Sequence, residues 1–219
     1  MRARFQNILL YSLLLISVYA RSENIPYKRC SVKTLNYEQG LLNNSITDII
    51  TDPNGFTWVS TYTGLQRYNG YSLETINPVV NKKTIIINYP VHFFGLADGH
   101  IWISYKQGIV EYSSDSNSFR NLLKVPAKSF FAIVPLMETA TGIWCLQQDK
   151  GIVLYNRLGS LVKNIPMPGP AFFNDLLFSS TILFSNVISS NDRFIYIRQD
   201  ENNIIQIDTK TERYQIVPF

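Results

Sequence analysis

Two cysteines and two histidines among 219 residues leave little material for metal or redox chemistry. No His, Cys or Asp spacing matches a metal-ligand set, and no Gly-rich phosphate loop is present, so the sequence implies no cofactor. Cys30 and Cys145 stand far apart in the repeat frame set out below, so their presence does not imply a disulfide. Cys145 reads as a small buried hydrophobe. His92 and His100 fall in a strand and a turn and read as structural. Charge is scarce too: 16% of residues are charged and the net formal charge is +4. The basic residues are scattered, which excludes a nucleic-acid footprint. Beyond the N-terminus no apolar run is long enough to span a membrane; Pro170 to Ile188 is interrupted by Asn174, Asp175 and Asn186.

The N-terminus is laid out as a secretory leader over residues 1–20. Arg2 and Arg4 form a basic start, Ile8 to Tyr19 is an apolar run broken by Ser12 and Ser17, and Val18-Tyr19-Ala20 offers a cleavage site. A run of about 12 residues is short for a span, which needs about 20. Loss of the leader lowers the formal charge to about +2, with the mature chain expected in the periplasm and without a span of its own. Tyr27-Lys28-Arg29 ahead of Cys30 lacks the small apolar residues of a lipoprotein signal.

What the chain does have is a repeat. All three tryptophans, Trp58, Trp102 and Trp144, occupy one position of a recurring pattern, 44 and then 42 residues apart. The glycines Gly64, Gly108 and Gly151 and the tyrosines Tyr68, Tyr112 and Tyr155 recur with them. A self-similar period of this size, with strand-type patterning, means stacked copies of one supersecondary unit. The copy at residues 45–76 divides into four short strands. Ser45 to Thr51 reads as an inner strand buried on both faces. Asp52-Pro53-Asn54-Gly55 is turn chemistry, and Phe56 to Thr61 alternates apolar and polar residues. Tyr62-Thr63-Gly64 reverses the chain, and Asn69-Gly70 signals a two-residue hairpin. Four strands in about 32 residues leave no room for a crossover helix, so each unit is an antiparallel meander.

The fold class is therefore all-β, a β-propeller with about four four-stranded blades at residues 45–76, 91–123, 130–165 and, more weakly, 182–217. In the fourth copy Tyr196 replaces the tryptophan, and Asn202-Asn203 replaces the glycine turn. The large aromatic is expected to fill the wedge between neighbouring blades, burying roughly 150–250 Å². In such a meander the first-to-second and third-to-fourth turns lie at one end. The second-to-third turns and the longer inter-blade connections, Asn77 to Pro90, Lys124 to Ser129 and Pro166 to Thr181, lie at the other. Ligand contacts concentrate on loops held by a rigid scaffold. The candidate ligand-binding residues are thus Tyr62, Tyr105, Lys106, Gln147, Gln148 and Asp149. Acidic residues on that face are too sparse for the paired carboxylates of a glycosidase, so no catalytic residue is assigned.

The run Gly40-Leu41-Leu42-Asn43-Asn44-Ser45-Ile46, followed by Asp52 to Thr61 and Gly64 to Tyr71, resembles the two-component regulator propeller repeat. It looks like the N-terminal opening of the periplasmic sensor region of hybrid two-component histidine kinases of Bacteroidetes type. Ile25 to Leu35, within residues 21–44, is similar to the lead-in strand that precedes the first blade there. The resemblance implies a seven-bladed propeller, of which this chain holds an incomplete, truncated arc. It also implies an oligosaccharide ligand, with the remaining blades or a sensor-kinase chain as partners. The chain itself carries no kinase phosphate chemistry, and is expected not to be an enzyme. The same Asp52 turn is similar to the Asp-box of propeller hydrolases, where it is structural. An exported glycoside hydrolase or lyase, or a purely protein-binding propeller, are the alternative readings.

Overall fold

The computed structural model describes residues 32–87, 92–124, 133–147, 150–167, 187–190, 193–198 and 201–218, with the backbone alone at 187–190. The chain divides into Met1–Thr34 and Leu35–Phe219. Of the first unit only residues 32–34 are described, and they form no regular element, so the leader and most of the expected lead-in strand lie outside the described residues. Among the described residues no helix is long and apolar enough to cross a membrane.

The second unit opens with a 3-10 turn, Tyr37–Gln39. Asn36 caps it by accepting the Glu38 N–H, and Gly40 ends it in the left-handed region. Four antiparallel sheets follow. The first holds β1 (Ile46–Thr51), β2 (Thr57–Thr61), β3 (Gly64–Tyr68) and β4 (Leu73–Ile76). A two-stranded hairpin, β5 (Val79–Val80) and β6 (Lys83–Thr84), comes next. The second sheet is β7 (His92–Gly95), β8 (Ile101–Tyr105), β9 (Gly108–Ser113) and β10 (Ser118–Lys124). The third is β11 (Ile133–Thr139), β12 (Gly142–Gln147), β13 (Gly151–Tyr155) and β14 (Leu161–Ile165). The fourth is β15 (Val187–Ser190), β16 (Phe194–Arg198), β17 (Asn203–Asp208) and β18 (Arg213–Pro218). Within every sheet the spatial order is the sequence order. The first strands of consecutive sheets lie against one another, β1 with β7, β7 with β11 and β11 with β15. These are blades arranged around a common axis, a β-propeller arc.

Side chains alternate between the faces of a strand, so each middle sheet serves two wedges. Ile101, Ile103, Val110 and Tyr112 of the second sheet pack with Trp58 and Leu65 of the first. From the opposite face, Trp102 and Ile109 pack with Ile143, Cys145, Val153 and Tyr155 of the third. Trp144, Leu146, Ile152 and Leu154 in turn meet Ile195, Ile197, Ile205 and Ile207 of the fourth. One tryptophan thus sits in each wedge, and each is at most 2% exposed. Cys145 is fully buried, and that burial pushes its thiol pKa up, away from reactivity. Among the described residues no core cluster joins the fourth sheet to the first, and the sheets do not close a ring.

Three expectations change in detail. Strand β1 is not buried on both faces: Ile46 and Ile49 are about half exposed, because a single neighbouring sheet covers it. Asn69-Gly70 does not form a two-residue hairpin. Tyr68 pairs with Leu73, leaving a four-residue loop in which the Asn69 carboxamide oxygen accepts the N–H groups of Tyr71 and Ser72. The connection from Asn77 carries the β5–β6 hairpin, whose turn places Asn81 and Lys82 at φ of 51° and 63°.

At Gly108 the glycine has a steric cause. Gly108 opens β9 at φ 139°, and a Cβ there would lie 1.9 Å from the Leu123 carbonyl oxygen on β10. That neighbour is backbone and cannot swing aside. Gly108→Ala is expected to destabilise the chain by about 2–4 kcal/mol, from strain and displaced β9–β10 pairing. Urea unfolding checks it, and a loss below about 0.5 kcal/mol would show that the strand relaxes freely.

Candidate functional site

The six residues expected to line a ligand face separate into three groups. Tyr105 and Gln147 end β8 and β12 rather than entering the turns, since Tyr105 pairs with Gly108 and Gln147 with Gly151. Both are buried, at 3% and 2% exposure. Tyr105 belongs to the core of the first wedge, and burial pushes its phenol pKa up. The Gln147 side-chain carboxamide oxygen accepts the Tyr155 hydroxyl hydrogen bond at 2.5 Å. Tyr62 is half-buried and Lys106 exposed, and both lie in second-to-third turns, with exposed Gln107 beside Lys106. Gln148 and Asp149 lie outside the described residues.

The opposite end of the sheets, where the first-to-second turns lie, is the more heavily built. The Asp52 carboxylate is 4% exposed and fully engaged: Oδ1 accepts the N–H groups of Asn54 and Phe56, both at 3.0 Å. Its Oδ2 accepts the Trp58 indole N–H at 2.9 Å. One side chain thereby closes the turn and fixes the tryptophan. In the second sheet a different acid does this work. Glu111, 3% exposed, accepts the Trp102 indole N–H at 2.9 Å, while Arg120 donates to both its oxygens at 2.7 and 3.0 Å. His100 Nδ1 stands 3.2 Å from the same carboxylate. Burial would push the Glu111 pKa up, but the hydrogen bonds from Arg120 and Trp102 and the nearby charges outweigh it, and the carboxyl titrates below its ordinary range.

Arg120 also donates to the Arg157 carbonyl oxygen of the third sheet, so this network spans a wedge. His92 plays a comparable part nearer the axis, with Nδ1 2.9 Å from Asp48 of the first sheet. Each histidine thus lies within hydrogen-bond distance of a carboxylate, Asp48 for His92 and Glu111 for His100. Between the first two sheets, Arg67 lies over the rings of Phe56 and Trp58, at 4.6 and 5.5 Å from their centroids, and donates to Glu74 and Asn117.

Two grooves open beside these wedges. One, of about 410 Å³, lies between the first and second sheets and is lined by Trp58, Arg67, Glu74, Ile76, Asn117 and Phe119. The other, of about 850 Å³, lies between the third and fourth and is lined among others by Trp144, Leu154, Val162, Lys163, Thr139 and Thr209. Among the described residues no group of three His, Cys, Asp or Glu side chains is arranged to hold a metal ion.

The opening of the arc is fastened from the N-terminal side. Gln66, 2% exposed on β3, donates to the Gly40 carbonyl oxygen at 2.9 Å and accepts the Leu42 N–H at 2.8 Å. Nothing in the pattern around Gln66 announced that role, although its position between two apolar neighbours on a buried strand was visible.

Residues 40–63, which this fastening and the Asp52 turn organise, match the family model described as Two component regulator propeller. The fold is similar to the extracellular domain assigned to the hybrid two component system BT3049 of B. thetaiotaomicron. There the TM-score is 0.59 at 18% identity, over 85% of this chain and 26% of that one. It is similar as well to the extracellular domain assigned to the hybrid two component system BT4673 of B. thetaiotaomicron. That match has a TM-score of 0.55 at 22% identity, over 82% and 25% of the two chains. Virginiamycin B lyase from Staphylococcus aureus matches with a TM-score of 0.53 at 16% identity, over 82% of this chain and 58% of the enzyme. The chain thus spans about a quarter of the length of the two-component system domains it resembles. No curated protein sequence matches it.

Proposed function

We propose that this chain, a propeller arc carrying a two component regulator propeller repeat, is an extracytoplasmic ligand-sensing element of a two-component signalling system. In this reading it is exported to the periplasm by the leader at residues 1–20 and recognises oligosaccharides. The observation that carries the reading is the match at residues 40–63. Its support is that these residues are built into the first sheet by Gln66 and Asp52, rather than hanging from it as a chance likeness. The second-to-third turns present the chemistry a hydroxylated ligand uses: an ammonium donor at Lys106, a carboxamide at Gln107 and an aromatic face at Tyr62. The partners in signalling are further propeller blades or a sensor-kinase chain, since the matched domains are about four times as long.

A thermal-shift screen of the purified chain against neutral and acidic oligosaccharides tests the reading. One class is expected to raise the melting temperature, by the equivalent of about 2.7 kcal/mol at a hundred times Kd. Lys106→Ala and Tyr62→Ala should each weaken that effect. No shift with any oligosaccharide overturns the ligand assignment.

The likeness to the lyase favours a second reading, an exported propeller hydrolase or lyase. Chromatography of the oligosaccharides after incubation separates the two, because a sensing element returns them intact.

A further inference from the structure

Each wedge encloses one tryptophan, and each indole brings an N–H that needs an acceptor. In the first wedge Trp58 donates to the Asp52 carboxylate at 2.9 Å. The second sheet has Leu96 in the place of Asp52, but Trp102 donates at 2.9 Å to Glu111, its partner on the third strand. The third sheet has neither acid. Its strand pairing puts Thr139 in the place of Asp52 and Leu154 in the place of Glu111. The Thr139 hydroxyl is engaged with the Gly142 carbonyl oxygen and the Thr141 hydroxyl, at 3.0 and 3.2 Å. Neighbouring Glu138 serves other groups: Oε2 accepts the Ala97 N–H at 2.7 Å, and Oε1 lies 3.7 Å from Arg157. Trp144 is 2% exposed, yet its indole N–H has no acceptor among the described residues. Donors this deeply placed are met in nearly every native fold.

Trp144 and Thr139 both line the groove of about 850 Å³, so the place that the Asp52 carboxylate takes in the first wedge borders open space here. Two cations also line it. Lys163 is paired with Glu212, whereas the exposed Lys210 ammonium has no ion-pair partner among the described residues. Leu154, Val162 and Ala140 supply apolar wall. An unmet donor, an unpaired ammonium and an apolar wall together suit an anion that carries a hydrocarbon body.

We propose that this groove binds a small aliphatic carboxylate, which brings to Trp144 the acceptor that Asp52 and Glu111 provide in the other two wedges. One carboxylate oxygen accepts the indole N–H, the charge faces Lys210, and the chain lies along Leu154 and Val162. The site lies at the first-to-second-turn end of the sheets, away from Tyr62 and Lys106, and stands independently of the sensing reading.

The test follows the three indole N–H signals of the isotope-labelled full chain by NMR as hexanoate is added, with hexanol and glucuronate as controls. Without ligand, the signal that Trp144→Phe removes should exchange with water faster than the other two, whose protons are held by carboxylates. Hexanoate should move that signal downfield and leave the others in place, with Kd on the order of 1 mM or tighter, the range open to ligands of this size. Hexanol lacks the charge and glucuronate the apolar chain, and each should bind at least tenfold more weakly. Lys210→Ala should weaken hexanoate several-fold and leave hexanol unchanged. Thr139→Asp supplies the carboxylate from within, as Asp52 does; it should slow exchange of the third signal and weaken hexanoate at least tenfold. Should Trp144→Phe fail to fold, that slowed exchange identifies the signal instead. The proposal is overturned if hexanoate moves no indole signal below about 10 mM, if it moves all three alike, or if either control binds as tightly.

Discussion

Trp102→Ala is expected to lower stability by about 3–5 kcal/mol, enough to unfold much of a chain whose total is of order 5–15 kcal/mol. Trp102 is fully buried and sits on the middle of three wedges, in contact with residues of the second and third sheets. Its removal opens a cavity between two backbone sheets that pair within themselves and have little freedom to collapse. It also strips from buried Glu111 one of its donors. The three tryptophans should not be equivalent. Trp144→Ala is expected to cost less, by about 1 kcal/mol or more, because Trp144 has no carboxylate partner and already borders the larger groove. Equilibrium urea unfolding of the parent and both variants measures the order. Equal losses would mean that the wedges are energetically interchangeable despite their different polar partners.

Glu111→Gln should cost about 2–3 kcal/mol at neutral pH, and it should also change the pH profile. The figure sits at the lower end for a broken buried pair because Arg120 is about half exposed and keeps access to water. The Glu111 carboxyl titrates lower in the folded chain than in the unfolded one. Its stabilisation is therefore fully present above the unfolded carboxylate range, near pH 4.5, and is lost as pH falls through the folded value. The parent should lose stability through that window and Glu111→Gln should lose less, so that the two curves converge in acid. Curves that stay parallel down to about pH 3 would show that another carboxylate sets the acid limb.

The fold was legible because its determinants are periodic. Trp58, Trp102 and Trp144 recur with the sheet spacing, and each fills the wedge its spacing assigned to it. Tyr196 stands in register with them, paired with Gln206 as Trp102 is with Glu111. What escaped the pattern was local. The β5–β6 hairpin turns through Asn81 and Lys82 at positive φ, without the glycine that normally signals such a turn. Tyr105 and Gln147 read as turn residues because they are polar-tipped and adjoin the glycine turn. One residue of register makes them strand ends and turns their side chains into the wedge. The groove beside Trp144 could not be read ahead of the structure. Its lining residues Thr139, Trp144 and Leu154 come from one sheet and Thr209 and Lys210 from the next, and only the strand pairing shows that they stand together.

The most direct test of the central claim is hydrogen–deuterium exchange of the chain with and without the oligosaccharide that gives the largest thermal shift. Protection is predicted at the second-to-third turns, residues 61–64 and 105–108, with the turns at the other end unchanged. The absence of any oligosaccharide that protects those turns, or protection confined to the opposite end, would contradict it.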